Sequence, residues 1–292
     1  MNTYEIVTER IINLLEQGVI PWRRPWSAAG APRNVVSKKI YRGVNFFLLS
    51  ATKYISPYWL TLRQANELGG SVLKGEHGQI VIFWKGENRT EADRESGSEN
   101  IDDSEHSRPR FVLKFYRVFN LQQCELPQAV TDTLPKIETY QHDPIEAVMN
   151  IITGMPNPPA IVRAGSKAYY SPITDRITLP PRELFENAAE HAATTLHELS
   201  HSSGHEKRLG REGITEVAPY GSPVYSREEL VAELSAAFLC AEAGISNAVI
   251  QNQAAYVSGW LKRLRDDRKL IVYAAAQAQR SADYILNQSR TE

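Results

Sequence analysis

The stretch Ala192-Ala193-Thr194-Thr195-Leu196-His197-Glu198-Leu199-Ser200-His201 decides how the rest of the chain is read. On a helix, His197 and His201 lie four residues apart on one face, and both imidazoles can reach a single cation. Glu198 projects beside them, where a carboxylate can accept a proton from an attacking water rather than bind the metal itself.

Five residues make a short motif. With 7 His in 292 residues, chance supplies this H-E-x-x-H pattern in about one chain in a hundred, so a second feature is needed. The pattern is that of zinc hydrolases, in which two histidines leave the ion short of a third protein ligand. Downstream, His201-Ser202-Ser203-Gly204-His205-Glu206-Lys207 puts a glycine three residues after the second His, but Lys207 stands where a metzincin has its third His. His205, one residue past that glycine, is the weaker candidate ligand.

The stronger candidate lies in residues 225–239, an amphipathic helix expected to open at a Ser226 N-cap with Glu229 at N3. Leu230, Leu234, Ala237 and Phe238 define its apolar face, and Glu229 and Glu233 flank that face four residues apart. Zincins with a glutamate ligand use a second helix to bring one carboxylate to the metal and another to a ligand histidine. Glu229 is assigned to the metal and Glu233 to the supporting role, with the exchange of the two as the alternative. Taken alone the pair reads as a solvated acidic stripe; beside the H-E-x-x-H helix it reads as part of a site. Tyr220 and Tyr225 are candidates to donate to a developing oxyanion, and the competing, stronger reading makes both structural.

A length of 292 residues accommodates one or two domains, and 42% hydrophobic with 23% charged residues is the composition of a soluble globular protein. Cys124 and Cys240 form no C-x-x-C pair, so neither a disulfide framework nor a thiolate zinc site is expected, and a reducing cytoplasm is the natural compartment. The polar N-terminus and the lack of any run of about 18 apolar residues argue against export and membrane insertion.

The formal net charge of −1 conceals an uneven distribution. Residues 1–85 hold 11 Lys and Arg against 5 acids. After a helix over residues 3–18 comes Ile20-Pro21-Trp22-Arg23-Arg24-Pro25-Trp26, followed by Lys38-Lys39 and Tyr41-Arg42-Gly43-Val44-Asn45. Cations interleaved with aromatics suit single-stranded nucleic acid, because bases stack on rings while charges follow phosphates. Trp22, Arg23, Arg24, Trp26, Lys38, Tyr41, Arg42, Asn45 and Lys74 are the candidate DNA-binding residues of this part. The competing reading makes proline-framed tryptophans core anchors.

Residues 57–70 read as a short helix, residues 72–85 as a turn leading into a strand, and residues 110–120 as its partner strand, adding Lys114 and Tyr116 to the DNA-binding candidates. Residues 87–108, acidic and polar, read as a mobile insertion in that hairpin. A proline-punctuated linker over residues 128–143 would separate a domain over 1–127 from one over 144–292. In the second, a short strand at 160–163, a hairpin at 168–180 and the H-E-x-x-H helix follow the zincin plan, and the fold class is α+β.

The combination resembles the plasmid-borne ArdC-type antirestriction proteins and the amino-terminal part of some plasmid primases. The resemblance runs through Ile20-Pro21-Trp22, Tyr41-Arg42-Gly43-Val44-Asn45, Leu73-Lys74-Gly75-Glu76, Phe119-Asn120, the H-E-x-x-H motif and Glu228-Glu229-Leu230-Val231-Ala232-Glu233. It implies an N-terminal single-stranded DNA-binding domain, a C-terminal zincin-like metallopeptidase domain, and protection of incoming plasmid DNA from restriction during conjugation. Its pattern makes His197, His201 and Glu229 the ligands of Zn2+, with Mn2+ also admissible, and Glu198 the general base. Two classes of function follow: a peptidase acting on a protein such as a host restriction component, or a DNA-binding shield whose metal site is catalytically idle.

Overall fold

The computed structural model describes residues 2–23, 30–87, 110–135, 143–216, 219, 221–245 and 253–288. The expected insertion, apart from Glu87, therefore lies outside the described residues, as do Arg24, Trp26, Tyr220 and residues 136–142 of the linker. The architecture is α+β, with a mixed sheet in each half of the chain.

The N-terminal helix Thr3–Glu16 starts at a capping box. The Asn2 side chain accepts from the Glu5 N–H, and the Glu5 carboxylate accepts from the Asn2 N–H, so two otherwise unpaired donors are satisfied. Val7, Ile11, Leu14 and Leu15 form its buried stripe. The sheet behind it has the order β1-β2-β5-β4, built from β1 (Arg33–Asn34), β2 (Tyr58–Leu60), β4 (Gln79–Glu87) and β5 (Arg110–Asn120), while β3 (Ser71–Val72) pairs separately with β6 (Cys124–Glu125). β4 and β5 are the long antiparallel pair that the alternating sequence predicts, in register from Gln79 opposite Val118 to Glu87 opposite Arg110.

Residues 57–70 are not one helix. Tyr58-Trp59-Leu60 is wholly buried and pairs with β1 and β5 as β2, and the helix Leu62–Glu67 begins only after a Thr61–Gln64 capping box. Bulky aromatics find more buried area in the sheet than a short helix could offer them. The start of the linker is docked as well: Leu134 packs on the Tyr58, Leu60 and Ala65 cluster, and the Tyr58 hydroxyl donates to the Pro135 carbonyl at 2.9 Å.

In the second half, helix Pro144–Gly154 precedes a three-stranded sheet of order β7-β9-β8, with β7 (Ala160–Arg163) parallel and β8 (Tyr169–Ser171) antiparallel to β9 (Arg176–Leu179). Four helices matter beyond it: the motif helix Ala188–Ser202, the glutamate helix Pro223–Glu242, and the closing pair Gln253–Asp266 and Leu270–Ile285. Arg208, with 1% of its side chain exposed, ties the motif helix to the sheet. It donates to the Ser202 carbonyl at 2.7 Å and the Asn157 carbonyl at 2.9 Å, and it pairs with Asp175 in the turn between β8 and β9.

The two halves share one core. A single apolar cluster runs from Val7, Ile11 and Leu15 through Phe46 and Phe47 to Phe238, Leu264 and Ala275. Phe238 of the glutamate helix sits with ring centroids 4.7 Å from Phe47 and 5.0 Å from Phe46. Cys124 and Cys240 are free thiols, and burial pushes the Cys240 thiol up to about 12, so it is not a thiolate ligand. Among the described residues no helix is long and apolar enough to cross a membrane.

Candidate functional site

The motif helix begins at Asn187, whose side chain accepts from the Glu190 N–H at 2.9 Å. Ala192, Leu196 and Leu199 are fully buried, which fixes the rotation of the helix and turns His197 and His201 to the facing glutamate helix. That second helix starts one turn earlier than residues 225–239 suggest. Its N-cap is Ser222, accepting from the Tyr225 N–H, with Pro223 in the first turn, and Ser226 is a buried residue inside it. The Ser-Pro dipeptide is the stronger start signal, because proline at the first helical position forfeits no hydrogen bond and is already set near helical φ.

His197, His201 and Glu229 converge, with one ligand atom from each lying within 4.8 Å of the others. The two Nε2 atoms are 3.2 Å apart, and the Glu229 carboxylate oxygens lie 3.9 Å from His197 Nε2 and 3.7 Å from His201 Nε2. A tetrahedral ion with bonds of about 2.0–2.2 Å has donor–donor edges of about 3.3–3.6 Å, so these spacings fit one cation with little adjustment. His197 and Glu229 are the more open members, their side chains 24% and 30% exposed against 12% for His201, so access to the cation is from their side. Glu198 is buried on the same helix.

Behind the histidines the structure departs from the sequence reading. Glu233 does not support a ligand. Its carboxylate accepts from Arg23 Nη2 at 2.5 Å and Nε at 3.2 Å, joining the glutamate helix to the N-terminal half. Five residues along a helix turn a side chain by about 140°, which takes Glu233 away from the face that Glu228 occupies. Glu228 lies 3.4 Å from His201 Nδ1. A proton on Nδ1 directed at this carboxylate leaves the Nε2 lone pair for the cation.

Glu228 is in turn clasped by Arg211, which reaches it at 2.9 Å through Nε and 2.6 Å through Nη2. Burial alone would raise the Glu228 carboxyl, but Arg211 and His201 outweigh it and hold it below its ordinary value. Arg211 also donates to Ser203 Oγ at 2.7 Å, and Ser203 meets Ser281, which meets Ser235, through two further 2.7 Å hydroxyl contacts. This buried chain fixes the motif helix, the glutamate helix and the last helix against one another.

Two glycines make room for the clasp. A Cβ on Gly204 would meet the Arg211 guanidinium at 2.9 Å, and one on Gly213 would meet Glu228 Cβ at 2.7 Å. Gly204 thus serves the arginine rather than a third histidine. The ring of His205 is buried in its own turn, Nδ1 accepting from the Lys207 N–H at 3.2 Å, and it is not in the convergent set. Sequence reasoning missed Glu228 and Arg211. Adjacency to Glu229 was the only signal for the first, and nothing marked the second.

The N-terminal candidates are not gathered into one groove. Trp22 is fully buried, donating through Nε1 to the Tyr256 hydroxyl at 2.9 Å and packing edge-on to Trp260. Arg23 lies over the Tyr256 ring at 4.5 Å besides pairing with Glu233. Arg42 pairs with Asp283 of the last helix. Asn45 clamps the free edge of β4 through the Ile82 N–H at 2.7 Å and carbonyl at 2.8 Å. Lys38 and Lys74 are exposed in turns, Tyr41 is buried under the sheet, and Lys114 and Tyr116 project from β5. Tyr225 sits in the first turn of the glutamate helix.

A mixed α+β chain whose second half pairs an H-E-x-x-H helix with a glutamate helix defines a zincin-like metallopeptidase fold packed against an N-terminal domain. Comparison with known proteins gives the same division. Residues 156–277 match the family described as zincin-like metallopeptidase, and residues 1–119 match the N-terminal domain of anti-restriction factor ArdC. The metal-free crystal structure of the antirestriction ArdC protein from plasmid R388 is 35% identical, covers 99% of this chain and 100% of that one, and superimposes with a TM-score of 0.76. Its Mn(II)-bound form is 34% identical, covers 98% of each chain, and gives 0.74. An uncharacterized protein, y4eC, of Sinorhizobium fredii (strain NBRC 101917 / NGR234) is 36% identical over 97% of this chain and 91% of its own length. A DNA primase TraC of Escherichia coli is 35% identical over 97% of this chain, which spans only 27% of that primase. The chain belongs to the ArdC family of antirestriction proteins. His197, His201 and Glu229 could hold one divalent cation, and their imidazole and carboxylate donors suit Zn2+ while admitting Mn2+.

Proposed function

We propose that this protein is an antirestriction factor that binds single-stranded DNA through its N-terminal half and cleaves a protein substrate, such as a host restriction component, at the His197–His201–Glu229 centre. The observation that carries the catalytic part is the convergence of those three side chains with Glu198 on the same helix. A divalent cation there supplies Lewis acidity and makes water acidic enough to be deprotonated near neutral pH. Glu198 is the group placed to take that proton and return it to the leaving amine. His201, held in one tautomer by Glu228, and Glu229 keep the donor set in place without reorganisation. The basic excess of residues 1–85, the match to the N-terminal domain of ArdC and the similarity to part of a DNA primase support the DNA part.

Glu198→Gln tests the catalytic part. The variant is expected to keep its metal, measured by elemental analysis, and its affinity for single-stranded DNA, while losing protection of unmodified DNA entering a restricting host. Full protection by a metal-loaded Glu198→Gln protein would instead establish a DNA shield with an idle metal centre.

A further inference from the structure

The sheet alternation in β4 and β5 puts Val81, Phe83 and Lys85 on one face with Val112, Lys114, Tyr116 and Val118. At its base, Val81 and Val118 are fully buried under Tyr41, Leu49 and Trp59. Further along the face opens, with Phe83 39% and Tyr116 37% exposed and their ring centroids 5.4 Å apart. Lys114 stands directly across from Phe83, and Lys85 lies one alternate position further along.

The opposite face is different. Ile82 and Leu113 are buried in the main core, and Trp84 packs against Tyr4 of the N-terminal helix. The opposite face nevertheless opens too, with Trp84 51%, Phe115 43% and Phe111 62% exposed, so what sets the first face apart is that its two rings alternate with Lys85 and Lys114. Tyr41, buried beneath this face, accepts from Asn34 Nδ2 at 3.3 Å. Tyr41 ends the turn that carries the exposed Lys38 and Lys39. From Gln79 to Glu87 and from Arg110 to Val118, the register gives this face Lys85, Lys114 and Arg110 against one carboxylate, Glu87.

We infer that this face of the β4–β5 hairpin is the single-stranded DNA platform, with bases stacking on Phe83 and Tyr116 and phosphates following Lys85, Lys114 and the Lys38–Lys39 turn. The inference rests on the single-stranded DNA reading of the N-terminal half and gives it a location. Rings and cations interleaved on an open sheet are the means by which sheet-faced modules hold unpaired strands. A duplex hides its base faces and would leave these rings without a partner. A protein partner would gain from the rings but has less use for a face on which cations outnumber acids three to one. The location also differs from the Trp22–Arg23 loop, whose described side chains are spent on the core and on Glu233.

The test measures binding of a fluorescent single-stranded oligonucleotide and its duplex by anisotropy across a salt series. Full-length wild type is compared with Phe83→Leu, Tyr116→Leu, Lys85→Ala and, as a control on the opposite face, Phe111→Ala. The leucine variants keep apolar volume, and unchanged metal content together with circular dichroism verifies that they fold. Phe83→Leu and Tyr116→Leu should each weaken single-strand binding by roughly 5- to 100-fold, the range for loss of one base–aromatic stack. Their salt slope should stay unchanged. Lys85→Ala should lower that slope by about 0.7, as for one lost phosphate contact on a single strand. Phe111→Ala should behave as wild type. If wild type binds single strands and the leucine variants bind equally well, the platform is wrong and the DNA reading stands. If wild type binds no single strand, the DNA reading falls and the platform with it. Equal preference for duplex in wild type would also overturn the platform.

Discussion

Two carboxylates on the glutamate helix each hold an arginine, and the two pairs serve different ends. Arg211–Glu228 lies inside the second half of the chain, nearly closed to solvent, and its carboxylate also faces His201. Arg23–Glu233 lies one and a half turns further on, with side chains 19% and 13% exposed, and joins the helix to the N-terminal half. The same chemistry orients the His201 imidazole in one place and staples two halves of a molecule in the other. What separates the roles is the direction in which each residue leaves the helix, with Glu229 between them facing the histidines.

The comparison breaks first on metal content. Glu229→Ala is expected to lose its bound cation outright, and Glu233→Ala to keep it, when purified without chelators and measured by elemental analysis. Metal lost from Glu233→Ala and kept by Glu229→Ala would reverse the assignment of roles. Next in size is Arg211→Met. Removing the partner of Glu228 unsettles the carboxylate that orients His201, and metal affinity should fall about 10- to 100-fold, the range for losses around a ligand. Competition with a chelating dye measures it.

The same variant should alter the acid limb of stability. Glu228 is held below its ordinary 4.5 in the folded protein. A depressed carboxyl stabilises the fold above its ordinary value and loses that contribution as pH falls through the folded one. Between about pH 5 and 3 the metal-free wild type should thus lose stability more steeply than Arg211→Met, as read from urea midpoints. Equal slopes would remove Arg211 as the cause of the depression.

Legibility in the sequence follows from whether a contact has a period. His197 and His201 come together by the helical repeat alone, and Glu229 could be found because a ligand was missing and an amphipathic helix was at hand. The β4–β5 pair was readable for the same reason, its alternation surviving the insertion. Arg211 reaches Glu228 from 17 positions earlier in the chain, and no repeat encodes that. Trp22 and Arg23 show the complementary failure: composition counts a cation and a ring but cannot tell that Glu233 and Tyr256, more than two hundred residues away, have taken them. Tyr58-Trp59-Leu60 was misread because burial on a sheet overrode a run that also suits a helix.

The smallest effect tests the staple. Arg23→Met alone leaves Glu233 partly buried without its partner, and should cost about 2 kcal/mol, between the values for exposed and fully buried pairs. Adding Glu233→Leu removes the stranded charge, and the double variant should recover most of that loss because a partly buried ion pair and an apolar contact of similar volume are close in free energy. Urea unfolding followed by circular dichroism gives the four corners of the cycle. Metal content should stay constant throughout, since Glu233 lies one turn beyond Glu229 and its carboxylate is held by Arg23. A cycle with no coupling would mean that Phe238 and the shared core join the halves unaided. A cycle with coupling and constant metal would make the pair a structural joint, distinct in kind from the Arg211 clasp five residues before it.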